Sequence, residues 1–221
     1  MTKINFLQNM RVVVIQAATI MLLCSPTYAE NSASSKLYEL LEETNSISAR
    51  FHQKISYDLN KSVAEQFLGD FLFLKPNHLR WVIEPPAAQE IFSNGDKIWI
   101  HDLELEQVVV HDFNSDLLAT PIMLFSSSLE EINLRYTVTE QKATKHLQHF
   151  LLKPKSHSSL FTRLELVFLE RAISQIIFVS DDQINAFSFS DTQTNFSPAL
   201  DLFTFDLPKT AEVLYNYERE K

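Results

Sequence analysis

FLKPNHLRWVIEPP, residues 73–86, contains the break that decides how the chain folds. One apolar run ends at Leu74, and a second run, residues 79–83, is apolar except for Arg80 and is followed by Glu84 and two prolines. A proline cannot donate a hydrogen bond to a sheet ladder, so Pro76 marks a strand end or a turn. The stretch therefore predicts two strands joined by a short polar turn. At that turn Lys75 is either a solvated residue or one with a specific role.

Apolar runs of strand length, separated by short polar joints, continue on both sides of this stretch. The Asn94-Gly95 pair between two of them is a strong hairpin signal, because a tight two-residue turn needs positive φ at both central positions. We count about eleven strands by this pattern, and LDLFTFDLP, residues 200–208, is the last of them. The pattern is typical of an antiparallel sheet.

Two segments interrupt the strands. In SKLYELLEETNS, residues 35–46, leucines recur at helical spacing, and Ser34 or Ser35 can cap the start of the helix. In residues 115–132, Thr120 before Pro121 suits the start of a short helix. That helix carries Ile122, Met123, Leu124 and Phe125. One helix before the sheet and one within it predict an α+β fold, built as a single curved sheet or an open barrel.

Several strands are apolar on both faces. In SLFTRLELVFLE, residues 159–170, the even positions 160, 164, 166 and 168 are Leu or Phe, and the odd positions 161, 167 and 169 are Phe, Val and Leu. A sheet with one face in water should alternate apolar and polar residues instead. Two helical segments are too few to cover about eleven strands. We therefore expect part of the apolar surface to line a cavity.

The first residues have the pattern of a secretory signal peptide. Lys3 and Arg11 precede the apolar run 12–24, and a small residue at Ala29 suits cleavage. We therefore expect residues 1–29 to be removed and residues 30–221 to form a single domain. Cleavage would also remove Cys24, the one cysteine.

The charge of the predicted mature chain limits its partners. Removing two of the 19 basic residues and none of the 28 acidic ones leaves 17 − 28 = −11. A net negative chain argues against nucleic acid as a partner, and against anionic lipid headgroups. It does not argue against an apolar ligand.

Enzymatic and metal-binding functions find little support in the sequence. Gly69 and Gly95 are the only glycines, whereas nucleotide-binding turns and the hydrolase nucleophile elbow each need several close together. His101 and His111 each precede an Asp on neighbouring predicted strands, which is either a pair of metal-ligand candidates or ordinary hairpin polarity. We expect no catalytic residue, no metal and no cofactor.

Several motifs together resemble the periplasmic outer-membrane lipoprotein carriers, the LolA family. They are FHQ after the first helix, GDFLFLKPNHLRW from Gly69, AQEIFSNGDKIWIHDLELEQV, TPIMLF, and the late FLLKP and FTFDLP. The resemblance extends from about Leu37 to Pro208, and its most specific part is residues 69–110.

The resemblance implies an incomplete antiparallel β-barrel with short helices as a lid over an apolar cavity. It implies a non-enzymatic chaperone in the periplasm, a monomer without a cofactor. Such carriers accept acylated lipoproteins from an inner-membrane ABC transporter (LolCDE-like), shield their acyl chains and deliver them to an outer-membrane receptor (LolB-like).

The resemblance also suggests which residues act. The family places an Arg before the turn proline, where it holds the lid shut, and this chain has Lys75 as the expected latch. Lysine lacks the planar fork of arginine, so the latch should be weaker or differently arranged. Residues expected at the cavity and lid are Phe71, Phe73, Leu79, Trp81, Ile91, Trp99, Met123, Leu124 and Phe125. From the sequence alone Trp81 and Trp99 are equally well read as core residues.

Three other functions stay open at this point. One is the lipid-anchored outer-membrane receptor of the same fold. Another is a non-enzymatic envelope sensor or scaffold that binds a protein partner. The third, a lipid-ester hydrolase, is disfavoured by the number of glycines.

Overall fold

The computed structural model describes residues 32–57, 63–113, 121–156, 159 and 161–216, so the expected signal peptide, residues 1–29, lies outside it. Within these residues the helices are α1 (Ala33–Glu43) and α2 (Leu129–Arg135), with 3-10 helices at Pro121–Ser126 and Leu200–Phe203. The strands are β1 (Ser46–Ser56), β2 (Glu65–Leu74), β3 (His78–Ile83), β4 (Gln89–Asn94), β5 (Lys97–Asp102), β6 (Gln107–Asp112), β7 (Tyr136–Ala143), β8 (Leu147–Pro154), β9 (Arg163–Leu169), β10 (Ala172–Val179), β11 (Ile184–Thr194) and β12 (Glu212–Asn216).

The strands form one open sheet in the order β12-β6-β5-β4-β3-β2-β1-β11-β10-β9-β8-β7. Neighbours are antiparallel except for β12, which runs parallel to β6. Because β12 and β7 stand at opposite ends of this order, the sheet does not close. The α+β class and the open sheet are confirmed. The predicted strand at residues 200–208 is wrong, since it begins with a 3-10 helix and lies outside the sheet.

The register divides the apolar residues between two faces. In β2, Phe71 and Phe73 are buried, whereas Leu68 and Asp70 on the opposite side of the strand are exposed. Paired residues of neighbouring strands share a face. Phe71 pairs with Trp81. We call the face that carries these two aromatic residues the inner face, and its opposite the outer face.

The hydrophobic core lies on the inner face. Helix α1 contributes three buried leucines, and the strands contribute mainly Phe, Leu and Ile to the same cluster. The helix begins at Ala33, so Ser34 and Ser35 lie in its first turn and the predicted cap position is wrong. Buried side chains of the cluster include Leu37, Leu40, Leu41, Ile47, Phe51, Phe71, Phe73, Phe150, Leu164, Leu166 and Phe168.

The segment between β11 and β12, residues 200–208, covers the outer face of β3–β5. The ring of Phe205 lies 5.4 Å from that of Phe92 and 5.9 Å from that of Trp99. Phe203 meets the ring of His78 edge-on at 5.3 Å. On these strands the second apolar face is therefore covered by the chain itself, and it does not require a cavity.

The hairpin between β4 and β5 is confirmed, with its turn one residue later than predicted. Asn94 ends β4 and Lys97 begins β5, so Gly95 and Asp96 are central. Only Gly95 has positive φ there, at 96°. The Asn94 side chain accepts hydrogen bonds from the backbone N–H groups of Asp96 and Lys97, both at 3.0 Å.

Gly69 permits a close approach between β2 and its neighbours. A Cβ atom at this position would lie 2.0 Å from the carbonyl oxygen of Val82 and about 2.5 Å from the ring of Phe51. The first contact is with backbone, which cannot rotate away. Only glycine fits between these two groups.

Replacement of Gly69 by alanine should therefore destabilise the sheet. Overpacking of this kind typically costs about 1–3 kcal/mol, measurable as a lower midpoint of denaturant unfolding. Ser188→Ala, on an exposed outer-face position of β11, is the matched control and should change stability little. A Gly69→Ala variant as stable as this control would contradict the close approach.

Candidate functional site

Aromatic rings from strands far apart in sequence meet on the inner face. The Trp81 ring lies 4.5 Å from the ring of Phe51, 5.3 Å from that of Phe71 and 5.1 Å from that of Phe187. Phe178 stacks on Phe187 at 5.9 Å. These five side chains, with Phe189 beside Phe71, form what we call the aromatic floor. Such a surface is suited to contact with hydrocarbon.

Part of the aromatic floor is only half-buried. Trp81, Phe178 and Phe189 pack against the core cluster without being fully enclosed by it. Phe71 and Trp81 were expected at the site from the sequence, whereas the contributions of β1, β10 and β11 were not. Strand alternation in INAFSFS, residues 184–190, puts Phe187 and Phe189 on one face, and that signal was available.

Three short helices lie against the inner face beside the floor. We call α1, the 3-10 helix Pro121–Ser126 and α2 the lid. Leu124, Phe125 and Ile132 are buried in the same cluster as the α1 leucines. The Phe125 ring lies 5.8 Å from that of Phe73. The lid therefore packs on the sheet through aliphatic and aromatic side chains.

Lys75 binds the C-terminal end of α1. Its Nζ donates hydrogen bonds to the carbonyl oxygens of Leu41 and Glu42, both at 3.0 Å. The same Nζ lies 3.5 Å from the Glu42 carboxylate. Only 19% of the Lys75 side chain is exposed. A positive charge at the C-terminal end of a helix also interacts favourably with the helix dipole.

The β2–β3 turn contacts a second lid element as well. Ser126, at the end of the first 3-10 helix, donates a hydrogen bond through its Oγ to the carbonyl oxygen of Pro76. The next carbonyl, that of Asn77, accepts from Ser93 Oγ at 2.7 Å. The turn that starts at Lys75 thus connects the sheet to two parts of the lid.

A capping box fixes the start of α2. Ser128 Oγ accepts from the backbone N–H of Glu131, and the Glu131 carboxylate accepts from the backbone N–H of Ser128 at 2.8 Å. This hydrogen bond holds the pKa of Glu131 below its ordinary value. Its contribution to stability is therefore present at neutral pH and is lost as the pH falls through the lowered pKa.

The remaining predicted site residues divide between the two faces. Leu79 packs against the core from the inner face, and Ile91 pairs with Trp81 on that face. Trp99 pairs with Phe92 and Val110 on the outer face, so its expected place at the cavity is wrong. The physical reason is the strand register, which pairs Trp81 with Ile91 and Trp99 with the next residue, Phe92, on the opposite face of β4. The side chain of Met123 lies outside the described residues.

The histidines considered as metal ligands do not converge. His101 pairs with Glu90 on the outer face, whereas His111 pairs with Ile98 on the inner face. Nδ1 of His101 lies 3.3 Å from the Glu90 carboxylate. Among the described residues no group of three His, Cys, Asp or Glu side chains could hold a metal ion. In the same residues no helix is long and apolar enough to cross a membrane.

A groove of about 590 Å³ lies elsewhere, at the ends of β8–β10. Six of its eight lining residues carry a hydroxyl or a carboxylate group, which makes it a poor site for an acyl chain. The lining residues are Pro154, Ser156, Ser159, Phe161, Thr162, Ser180, Asp181 and Asp182.

Loss of the Lys75 contacts should weaken the attachment of α1. In Lys75→Met the side-chain length remains, but the two carbonyl groups lose a charged donor. Hydrogen bonds to a charged group contribute about 1.5–3 kcal/mol, so the free energy of unfolding should fall by about 1–2 kcal/mol. Lys54→Met, at an exposed position of β1, is the matched control. Equal effects of the two substitutions would show that Lys75 is merely solvated.

Comparison with known proteins identifies relatives of this chain. The family described as outer membrane lipoprotein carrier protein LolA matches residues 42–206. An outer-membrane lipoprotein carrier protein of Azotobacter vinelandii is 29% identical over 205 residues, covering 92% of this chain and 97% of its own. One of Chromohalobacter salexigens is 30% identical over 187 residues, covering 84% and 88%. A crystal structure of an uncharacterised conserved protein of Thermus thermophilus has the same fold, with a TM-score of 0.55 at 10% identity, covering 84% and 100%.

Proposed function

Because the chain belongs to the outer membrane lipoprotein carrier family, LolA, we propose that it is a periplasmic carrier that holds lipoprotein acyl chains at its inner face. The observation that supports this is the half-buried aromatic floor beside a lid attached to the sheet by Lys75. In the proposal one domain, residues 30–221, carries out this function after residues 1–29 are removed.

The energetics of such a carrier require a closing lid. Burial of an acyl chain gains about 0.8 kcal/mol per CH₂ group, so several chains would be bound too tightly for delivery. An empty site that closes on itself lowers the apparent affinity by the fraction of molecules that are open. In the proposal the lid contacts of Leu124 and Phe125 with the core are exchanged for contacts with cargo.

The proposed partners follow from the family. The carrier accepts acylated lipoproteins from an inner-membrane ABC transporter (LolCDE-like) and delivers them to an outer-membrane receptor (LolB-like). In this proposal it works as a monomer, without a catalytic step or a cofactor. The residues proposed to contact acyl chains are Phe71, Phe73, Leu79, Trp81, Ile91, Met123, Leu124 and Phe125, with Lys75 as the latch.

The two tryptophans provide a direct test, because they lie on opposite faces. A fatty acid brominated in its acyl chain quenches tryptophan fluorescence on contact. In the Trp99→Phe variant the remaining Trp81 should be quenched as the acid is added. In Trp81→Phe, the matched control, Trp99 beside Phe205 should keep its fluorescence. Folding of both variants is checked by circular dichroism.

Absence of quenching in a folded Trp99→Phe variant would contradict acyl binding at the inner face. It would favour a scaffold that binds protein without lipid. Equal quenching of both variants would instead indicate non-specific association.

A further inference from the structure

The end of α1 has a complete set of hydrogen-bond donors, and several come from distant parts of the chain. The last four carbonyls of an α-helix have no partner within the helix. In α1 they belong to residues 40–43. The Thr44 hydroxyl donates a hydrogen bond to the carbonyl oxygen of Leu40 at 3.0 Å, and the Thr44 backbone N–H donates to that of Leu41 at 3.2 Å. The carbonyl of Glu42 depends on Lys75.

Asn195, at the end of β11, supplies the last donor. Its Nδ2 donates to the carbonyl oxygen of Glu43 at 2.8 Å. Its Oδ1 accepts from the backbone N–H of Asn45 at 2.8 Å. Its own N–H donates to the carbonyl oxygen of Ser46 at 3.0 Å. Asn195 therefore connects the end of α1 and the start of β1 to β11, which flanks β1 on the side away from β2 and Lys75.

Arg171 binds the side chain of the last α1 residue. Its Nε and Nη2 donate to one carboxylate oxygen of Glu43, at 2.8 Å and 2.6 Å. Arg171 lies in the tight turn between β9 and β10, where it and Glu170 have φ of 68° and 48°. Two positive φ values are typical of a hairpin turn that follows the strand twist. The turn thus directs the guanidinium at the helix end.

These contacts come from both sides of the central strand β1. In the sheet order, the β2–β3 turn stands on one side of β1, and β11 and the β9–β10 turn stand on the other. Helix α1 therefore cannot move away from the sheet without releasing both sets of contacts. Lys75 lacks the planar fork of an arginine. In this chain a guanidinium, that of Arg171, contacts the lid from the β9–β10 turn instead.

We infer that the latch of this chain has two arms, Lys75 on one side and Arg171 with Asn195 on the other, and that the Arg171–Glu43 pair sets how readily the lid opens. The inference rests on the proposed function for its consequence, which is control of acyl-chain uptake. The pair is exposed, 53% for Arg171 and 57% for Glu43. An exposed pair is screened by salt, so this arm should weaken as the ionic strength rises.

The first test needs no ligand. Amide hydrogen exchange of α1 should be faster in Arg171→Gln and in Glu43→Gln than in the unaltered protein, by about two- to fivefold, the range expected for an exposed pair. The double variant should exchange no faster than either single one, because both remove the same contact. High salt should abolish the difference.

Lys97→Gln is the matched control, since it removes another exposed pair, that with Asp112, away from α1. Arg171→Lys should restore the slow exchange only in part, because lysine cannot make two contacts from one planar group. If α1 exchanges at the same rate in Arg171→Gln as in the control, the second arm does not exist.

The second test measures uptake of the brominated fatty acid by Arg171→Gln and by the Lys97→Gln control. The Arg171 variant should bind it about two- to fivefold more tightly, since a lid that opens more readily raises the competent fraction. Faster exchange with unchanged affinity would overturn the role in uptake while leaving the contact in place. No binding by any variant, with faster exchange in Arg171→Gln, would instead reject the proposed function and keep the two-armed attachment.

Discussion

The carbonyl groups at the end of helix α1 determine how this helix is attached to the sheet. They have no partner within the helix, and those of Glu42 and Glu43 accept hydrogen bonds from side chains outside it. The nearest donors are side chains of turns and strand ends, chiefly Lys75 and Asn195. Because those donors are fixed to the sheet, the position of α1 over the core follows from their placement. The lid is thus located by polar contacts at one end and by leucine packing along its length.

This combination of apolar packing along α1 and polar contacts at its end is physically suited to a carrier. The apolar contacts of the lid with the sheet are non-directional and can be replaced by contacts with hydrocarbon at little net cost. The polar contacts at the end of α1 are directional and are lost together if the helix moves. A lid built in this way favours two discrete arrangements over a continuous series. The family to which the chain belongs is named for the carriage of lipoproteins, and in the proposal the aromatic floor supplies the matching surface.

Local patterns predicted much of the fold, because alternation and turn residues report on single strands. They did not predict what covers the outer face: residues 200–208 alternate like a strand, yet Phe205 packs across the sheet on Trp99. The face of Trp99 relative to Ile91 could nevertheless have been predicted. A two-residue turn pairs odd positions of β4 with even positions of β5, so Ile91 and Trp99 must lie on opposite faces. Arg171 could not have been predicted, because its contact joins residues 128 apart in the chain.

In the proposed function α1 moves from the sheet when acyl chains bind. The chain outside its expected signal peptide has no cysteine, so spin labels can be attached at Glu39→Cys on α1 and Asp96→Cys at the β4–β5 turn, both exposed. Pulsed electron paramagnetic resonance gives the distance between them. We expect one narrow distance without ligand and a longer or broader one with a triacylated peptide. An unchanged distance in protein shown to have bound the peptide would contradict it.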